Sequence, residues 1–176
     1  MYFDKFGKIQ YGFDKNNFKF VTDIMKRVKL RDKVLNEFTL YDKYDVVSGE
    51  TPENIAFKHF GNSDLHWVIL LTNNVTDRYY DWPMSEQEFE IFLNDKYDNP
   101  DGIHHHEITQ SSGKQTGDGP NDYTHLIEVN STVSGASSVS NREFESRIQD
   151  QKRQIKLLNP KFLETFLSEF NSLIRG

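Results

Sequence analysis

Residues 44–83, YDVVSGETPENIAFKHFGNSDLHWVILLTNNVTDRYYDWP, decide the fold. Tyr44-Asp45-Val46-Val47 has the aromatic and β-branched residues that suit a short strand. Ser48-Gly49-Glu50-Thr51-Pro52 then predicts a turn and a helix start. Gly49 can take a positive φ, the Thr51 hydroxyl can cap, and Pro52 suits the first helical position, where its missing N–H costs nothing. Ile55, Ala56, His59 and Phe60 recur at helical spacing, and Gly61 stands where glycine ends a helix. Asn62 or Ser63 caps a second helix, Leu65-His66-Trp67-Val68-Ile69-Leu70-Leu71, which Asn73-Asn74 closes. The predicted order is strand, helix, short turn, helix, and an aromatic exit through Tyr79-Tyr80-Asp81-Trp82-Pro83.

That order resembles a LysM module through Tyr44, Gly49-Glu50-Thr51, Ile55-Ala56 and Asn73. It departs from the module after Asn74. A LysM module closes with a second strand, and here that place holds Thr76-Asp77-Arg78-Tyr79-Tyr80-Asp81-Trp82-Pro83. The sugar-binding groove of such modules lies between the strand-to-helix turn and this closing segment, so likeness of fold does not bring glycan binding with it.

At 100° per residue, Leu65, Val68, Ile69 and Thr72 share one face of the second helix, the face expected to pack on the strands. Trp67, Leu70 and Leu71 point elsewhere. A helix apolar nearly all round must be covered all round, either by the N-terminal arm or final helix of this chain or by a partner protein. We take Trp67, Leu70, Leu71, Tyr79, Tyr80 and Trp82 as candidate partner-binding residues.

The rest of the chain divides around this module. Residues 1–43 form an aromatic arm (Tyr2, Phe3, Phe6, Ile9, Tyr11, Phe13, Phe18, Phe20) that reads as extended, with a turn at Asp14-Lys15-Asn16-Asn17. Residues 44–84 are the module. Residues 85–140 hold a helix from Glu86 to about Tyr97, with Ser85 and Glu88 as a capping box, and a hairpin of 103–108 with 123–129 across a flexible loop from Ser111 to Gly119. Ser131–Ser140 reads as a second small-residue loop. Residues 141–176 read as two helices. The first is capped by Asn141 and carries Phe144, Ile148 and Ile155; the second runs from Lys161 to about Ile174. That last helix has Phe162, Leu163, Phe166, Leu167, Phe170, Leu173 and Ile174 on a broad face, more than one small core requires, which adds Phe162, Phe166 and Phe170 to the partner-binding candidates. The expected class is α+β, a small βααβ core with an aromatic arm, a β-hairpin and C-terminal helices.

Composition narrows the function. A net charge of −6 argues against a nucleic-acid binder, and the basic group Lys26–Lys33 is interrupted by acids. The absence of cysteine removes disulfides and thiolate metal sites and fits assembly in a reducing cytoplasm. The longest apolar run, Trp67–Leu71, is too short to span a membrane. Hydrophobic residues make up a lean 36% against a rich 14% aromatic, a balance suited to contact with other proteins.

Chemistry was sought and not found: no nucleophile elbow, phosphate loop, dinucleotide fingerprint or zinc-protease helix is present. His104 and His106 on one strand face, with His125 on the paired strand, are the sharpest metal candidates, but stacked strand histidines explain them more simply. Glu50 with Glu53, and Asp77 with Asp81, are acid pairs better explained by helix starts and turns. We therefore expect no catalytic residues, no metal and no cofactor.

The aromatic arm, Gly-Glu-Thr-Pro-Glu-Asn-Ile-Ala at 49–56, Leu65–Leu70, Asp81-Trp82-Pro83-Met84, Ile103-His104-His105 and Arg153–Leu158 together resemble the LysM-containing baseplate wedge subunit of T-even-like contractile-tailed phages. The resemblance implies a non-enzymatic virion component, assembled in the host cytoplasm, that clamps wedge proteins together and joins adjacent wedges around the hub. Its implied partners are other wedge and hub proteins. Nucleic acid, membrane and glycan are not expected partners. The alternative is a LysM-type peptidoglycan-binding module attached to a tail lysin; a hydrolase built on His104, His106 and His125 is a third reading.

Overall fold

The computed structural model describes residues 3–14, 17–35, 37–111, 113 and 119–175. Its elements, in chain order, are β1 (Lys8–Asp14), β2 (Asn17–Thr22), β3 (Tyr41–Asp45), α1 (Pro52–Phe60), α2 (His66–Thr72), α3 (Glu86–Lys96), β4 (Ile103–Gln110), β5 (His125–Val129), β6 (Ser137–Ser140), α4 (Asn141–Arg153), β7 (Gln154–Leu158) and α5 (Leu163–Arg175). The mixture of helices and strands is the α+β class expected. Two compact units emerge, residues 1–83 with 153–176 and residues 84–152. Tyr2, Lys15 and Asn16 of the arm, and residues 112 and 114–118 of the loop read at 111–119, lie outside the described residues.

The first unit is built on a βααβ core. Thr51 caps α1 by accepting the Asn54 N–H, Pro52 stands in the first turn, and Gly61 closes the helix at φ 74°. Asn62 caps the turn into α2, and Asn74 follows α2 at φ 53°, the left-handed conformation that asparagine tolerates. The strand read at 44–47 is shifted: β3 covers Tyr41–Asp45, and Val46 lies just beyond it in the core.

The closing strand is the main correction. None forms between Asn74 and Pro83, where a single helical turn, Arg78–Asp81, stands instead. The partner of β3 is β7, antiparallel, in the register Tyr41↔Leu158 to Asp45↔Gln154. Ile155, read as part of a helical stripe, is therefore a strand residue, and α4 ends at Arg153. The other edge of β7 is occupied by Asn73, the residue that caps the C-terminus of α2. The Asn73 amide donates to Lys156 O and its carbonyl accepts the Lys156 N–H, both at 2.8 Å. One side chain thus pairs with a strand as a neighbouring backbone would, and His59 Nε2 adds a contact to Leu158 O at 2.9 Å.

Two apolar clusters flank α2. Val46, Ile55, Ala56, Ile69, Trp82, Ile155 and Leu157 form one, with Leu70 and Val75 against it. Phe6, Trp67, Val68, Leu158, Phe170 and Ile174 form the other, with Leu65, Leu71, Phe166 and Leu167 against it. The faces expected of α2 are thus partly exchanged, Leu70 turning to the first cluster and Leu65 and Val68 to the second. The arm's β1 and β2 form an antiparallel hairpin.

The second unit is a three-stranded antiparallel sheet, ordered β5-β4-β6, with α3 and the greater part of α4. The hairpin of β4 and β5 was expected, whereas β6 falls in a stretch read as loop. Ser85 and Glu88 form the predicted capping box. At the start of α4, Ser140 Oγ accepts the Glu143 N–H, while the Asn141 side chain, the predicted cap, donates to Asn99 O instead.

Truncating Phe170 to Ala removes a buried ring from the second cluster. The unit should lose about 3–5 kcal/mol of stability in denaturant titration, and tryptophan emission should move to longer wavelength as Trp67 becomes wet.

Candidate protein-binding surface

Sequence reasoning placed nine residues at a partner surface, and the fold sorts them into two groups. Trp67 is 7% exposed, its ring centroid 4.5 Å from that of Phe170 and 6.2 Å from that of Phe166, with Lys5 Nζ 5.5 Å over the indole. Phe170 is 3% exposed. α5 of the same chain therefore covers the second face of α2, where a partner had been the other possibility. Leu70 and Leu71 are half-buried in the two clusters, and Phe166 is half-buried beside Trp67. Trp82 is buried, and its indole N–H donates to Glu50 O at 2.9 Å.

Tyr79 and Tyr80 stand apart at 88% and 73% exposed, and Phe162 is partly exposed at the start of α5. The helical turn that carries the two tyrosines is firmly held. Asp77 caps it by accepting the Tyr79 N–H at 2.9 Å. Asp81 Oδ2 accepts the backbone N–H groups of Thr76 and Asp77, each at 3.0 Å. Arg78 reaches across to Glu53 in the first turn of α1 at 2.8 Å. Four further exposed apolar residues in this unit, Ile24, Met25, Phe38 and Phe57, were not singled out from sequence. Phe57 was detectable, since it falls off the Ile55-Ala56-His59-Phe60 stripe.

Beneath this turn lies a buried carboxylate. Glu50 accepts the Tyr44 hydroxyl at 2.8 Å, the Val47 N–H at 3.3 Å and the Lys58 ammonium. Burial alone would raise its pKa, but the bonds from Lys58, Tyr44 and Val47 outweigh that and hold it below the usual carboxylate range. The groove expected between the strand-to-helix turn and the segment after α2 is thus spanned by Trp82 on Glu50 O and by Arg78 on Glu53. Both acid pairs considered for catalysis are engaged in these structural bonds.

In the second unit, Arg147 forks onto Glu107 with two 2.8 Å bonds and also reaches Glu143 at 2.6 Å. These contacts, Arg147 foremost, lower the Glu107 pKa and raise that of Arg147. Glu145 is buried; burial raises its pKa, but bonds from Lys96 at 2.6 Å and Tyr97 at 2.8 Å bring it below the ordinary value. His104 stacks on Phe144 with centroids 4.0 Å apart. His125 pairs with Gln110, at the far end of the ladder from His106, so the three histidines are not brought together. Among the described residues no group of three or more His, Asp or Glu is placed to hold a metal, and no helix is long and apolar enough to cross a membrane.

The family model described as base plate wedge protein 53 matches residues 1–114. The baseplate wedge protein gp53 of Enterobacteria phage T4 is 34% identical over 59 residues, a match covering 34% of this chain and 30% of that protein.

Glu50, Glu107 and Glu145 all ionise at lower pH folded than unfolded. On acidification the unfolded chain takes up protons first. The stability they contribute is therefore complete above the unfolded Glu value of about 4.3 and is lost as pH falls through their folded values. Glu50→Gln should cost about 1–2 kcal/mol at neutral pH and flatten the acid limb of the melting-temperature profile, as measured by calorimetry against pH.

Proposed function

Because the chain belongs to the base plate wedge protein 53 family and is thereby a structural component of a phage tail baseplate wedge, we propose that it works there as a non-enzymatic clamp. It holds wedge proteins together and joins adjacent wedges around the hub, its partners being other wedge and hub proteins of the tail. The match to the T4 protein spans under a third of that protein's length.

The observation that carries the proposal is the pair Tyr79 and Tyr80, displayed to solvent on a turn pinned by Asp77, Asp81 and the Arg78–Glu53 bridge. Exposed aromatic residues on a rigid base are costly to leave in water. They lose little entropy when a partner covers them, which is the physical profile of an interface anchor. Phe57 and Phe162 extend the exposed apolar area of the same unit.

The core reads as a LysM-like module whose second strand, β7, is supplied after an insertion of residues 84–152. Its sugar groove is given over to internal contacts by Trp82 and Arg78, which speaks against the peptidoglycan-binding alternative. Among the described residues, Glu50, Glu53, Asp77 and Asp81 are all engaged in structural bonds, which supports a role without catalysis.

Replacing Tyr79 and Tyr80 together by Ala should weaken co-purification with the neighbouring wedge proteins about tenfold or more, with the melting temperature unchanged. Trp67→Ala should instead lower the melting temperature. Full assembly by the double variant would refute the anchor. Retention on peptidoglycan that depends on Tyr79 would restore the glycan reading.

A further inference from the structure

Among the described residues, the strands of the N-terminal hairpin pair only with each other. Every residue of β2, and each residue of β1 from Lys8 to Gly12, is exposed. The register Ile9↔Val21 and Tyr11↔Lys19 puts Ile9, Tyr11, Val21 and Lys19 on one face, and Phe18 with Phe20 on the other, their rings edge-on at 5.5 Å. A two-stranded hairpin alone is marginal in water, and apolar residues on both faces make its exposure costly. Such a ribbon is stabilised when a surface covers it.

Charge identifies that surface. The hairpin stretch, residues 8–22, holds three Lys against one Asp, a net of +2, in a chain whose total is −6. Residues 84–152 hold thirteen acids against five bases, a net of −8. Within this acidic stretch the outer face of α3 forms a shallow concavity of about 610 Å³ lined by Gln87, Glu90, Ile91, Asn94 and Asp95. Ile91, the apolar residue of this lining, is 63% exposed, and of its two acids Glu90 is paired with Arg142 while Asp95 is exposed. An exposed apolar side chain beside an acid faces solvent on one part of the chain, and an apolar ribbon bearing a lysine faces solvent on another.

We propose that the Ile9–Tyr11–Val21 face of the hairpin in one copy seats on the Ile91 concavity of α3 in a second copy, with Lys19 against Asp95. The two surfaces lie on different parts of the chain, so each copy offers one of each, and the contact closes as a reciprocal pair or a ring or continues as an open chain. The inference stands independently of the baseplate reading.

Sedimentation equilibrium of the purified full-length chain tests it. At about 50 mM salt the mean mass should rise with concentration above the 20.7 kDa of one copy, and about 500 mM salt should reverse the rise. Lys19→Glu and Asp95→Lys, both surface changes that leave circular dichroism unaltered, should each weaken association about tenfold. Mixed together they should associate again, because the reversed pair is complementary. A wild type that stays monomeric at low salt, association indifferent to both variants, or a mixture that fails to recover would each overturn the proposal.

Discussion

The pairing of β3 with β7 is the contact on which the first unit depends. Tyr41 meets Leu158 across more than a hundred intervening residues, and among the described residues the two strands make up that sheet. Two five-residue strands make a weak sheet alone. The core becomes stable because the free edge of β7 is closed by Asn73 and His59, and because its alternation sends Ile155 and Leu157 into the cluster with Ile55, Ile69 and Trp82. Asn73 therefore both ends α2 and pairs with β7, and helix and strand cannot separate without exposing the Lys156 backbone.

This arrangement explains why α2 tolerates apolar residues on nearly every side. Ile69 and Leu70 meet the strands and Trp82, and Trp67 and Leu71 meet α5. α5 follows β7 after a short turn begun by Asn159 and Pro160. Closing the sheet thus delivers the helix that covers Trp67, so one long-range pairing sets both halves of the core. The surplus apolar face of α5 is largely consumed in this way, with Leu173 left exposed.

Local chemistry made much of this legible. Thr51, Pro52, Gly61, Asn74 and the Ser85–Glu88 box act through neighbours within four residues, and their roles could be read from spacing alone. What spacing could not show was decided by distant partners. Gln154–Leu158 follows α4 with no breaker and with residues that helices accept; only β3 makes it a strand. β6 buries a single apolar residue, Val139, and so has no pattern to detect. The candidate surface fared likewise. Trp67 and Tyr79 look alike in sequence as aromatic residues free to meet a partner, yet a helix a hundred residues downstream buries the first and leaves the second in water.

The two units solve the same problem of a lean apolar content differently. The first concentrates its aliphatic and aromatic residues into two clusters. The second has few fully buried apolar side chains among those described, Leu93 and Val139, and relies on charged networks that reach its interior: Arg147 on Glu107, and Lys96 with Tyr97 on Glu145. Each carboxylate is buried while its cationic partner is part-exposed, so an arrangement that leaves Glu107 or Glu145 without that partner is penalised. That cost favours the observed geometry of residues 84–152, while the core that surrounds them in sequence is held by burial. An insertion specified in this way keeps its apolar residues few and its surface acidic, as its net charge of −8 shows.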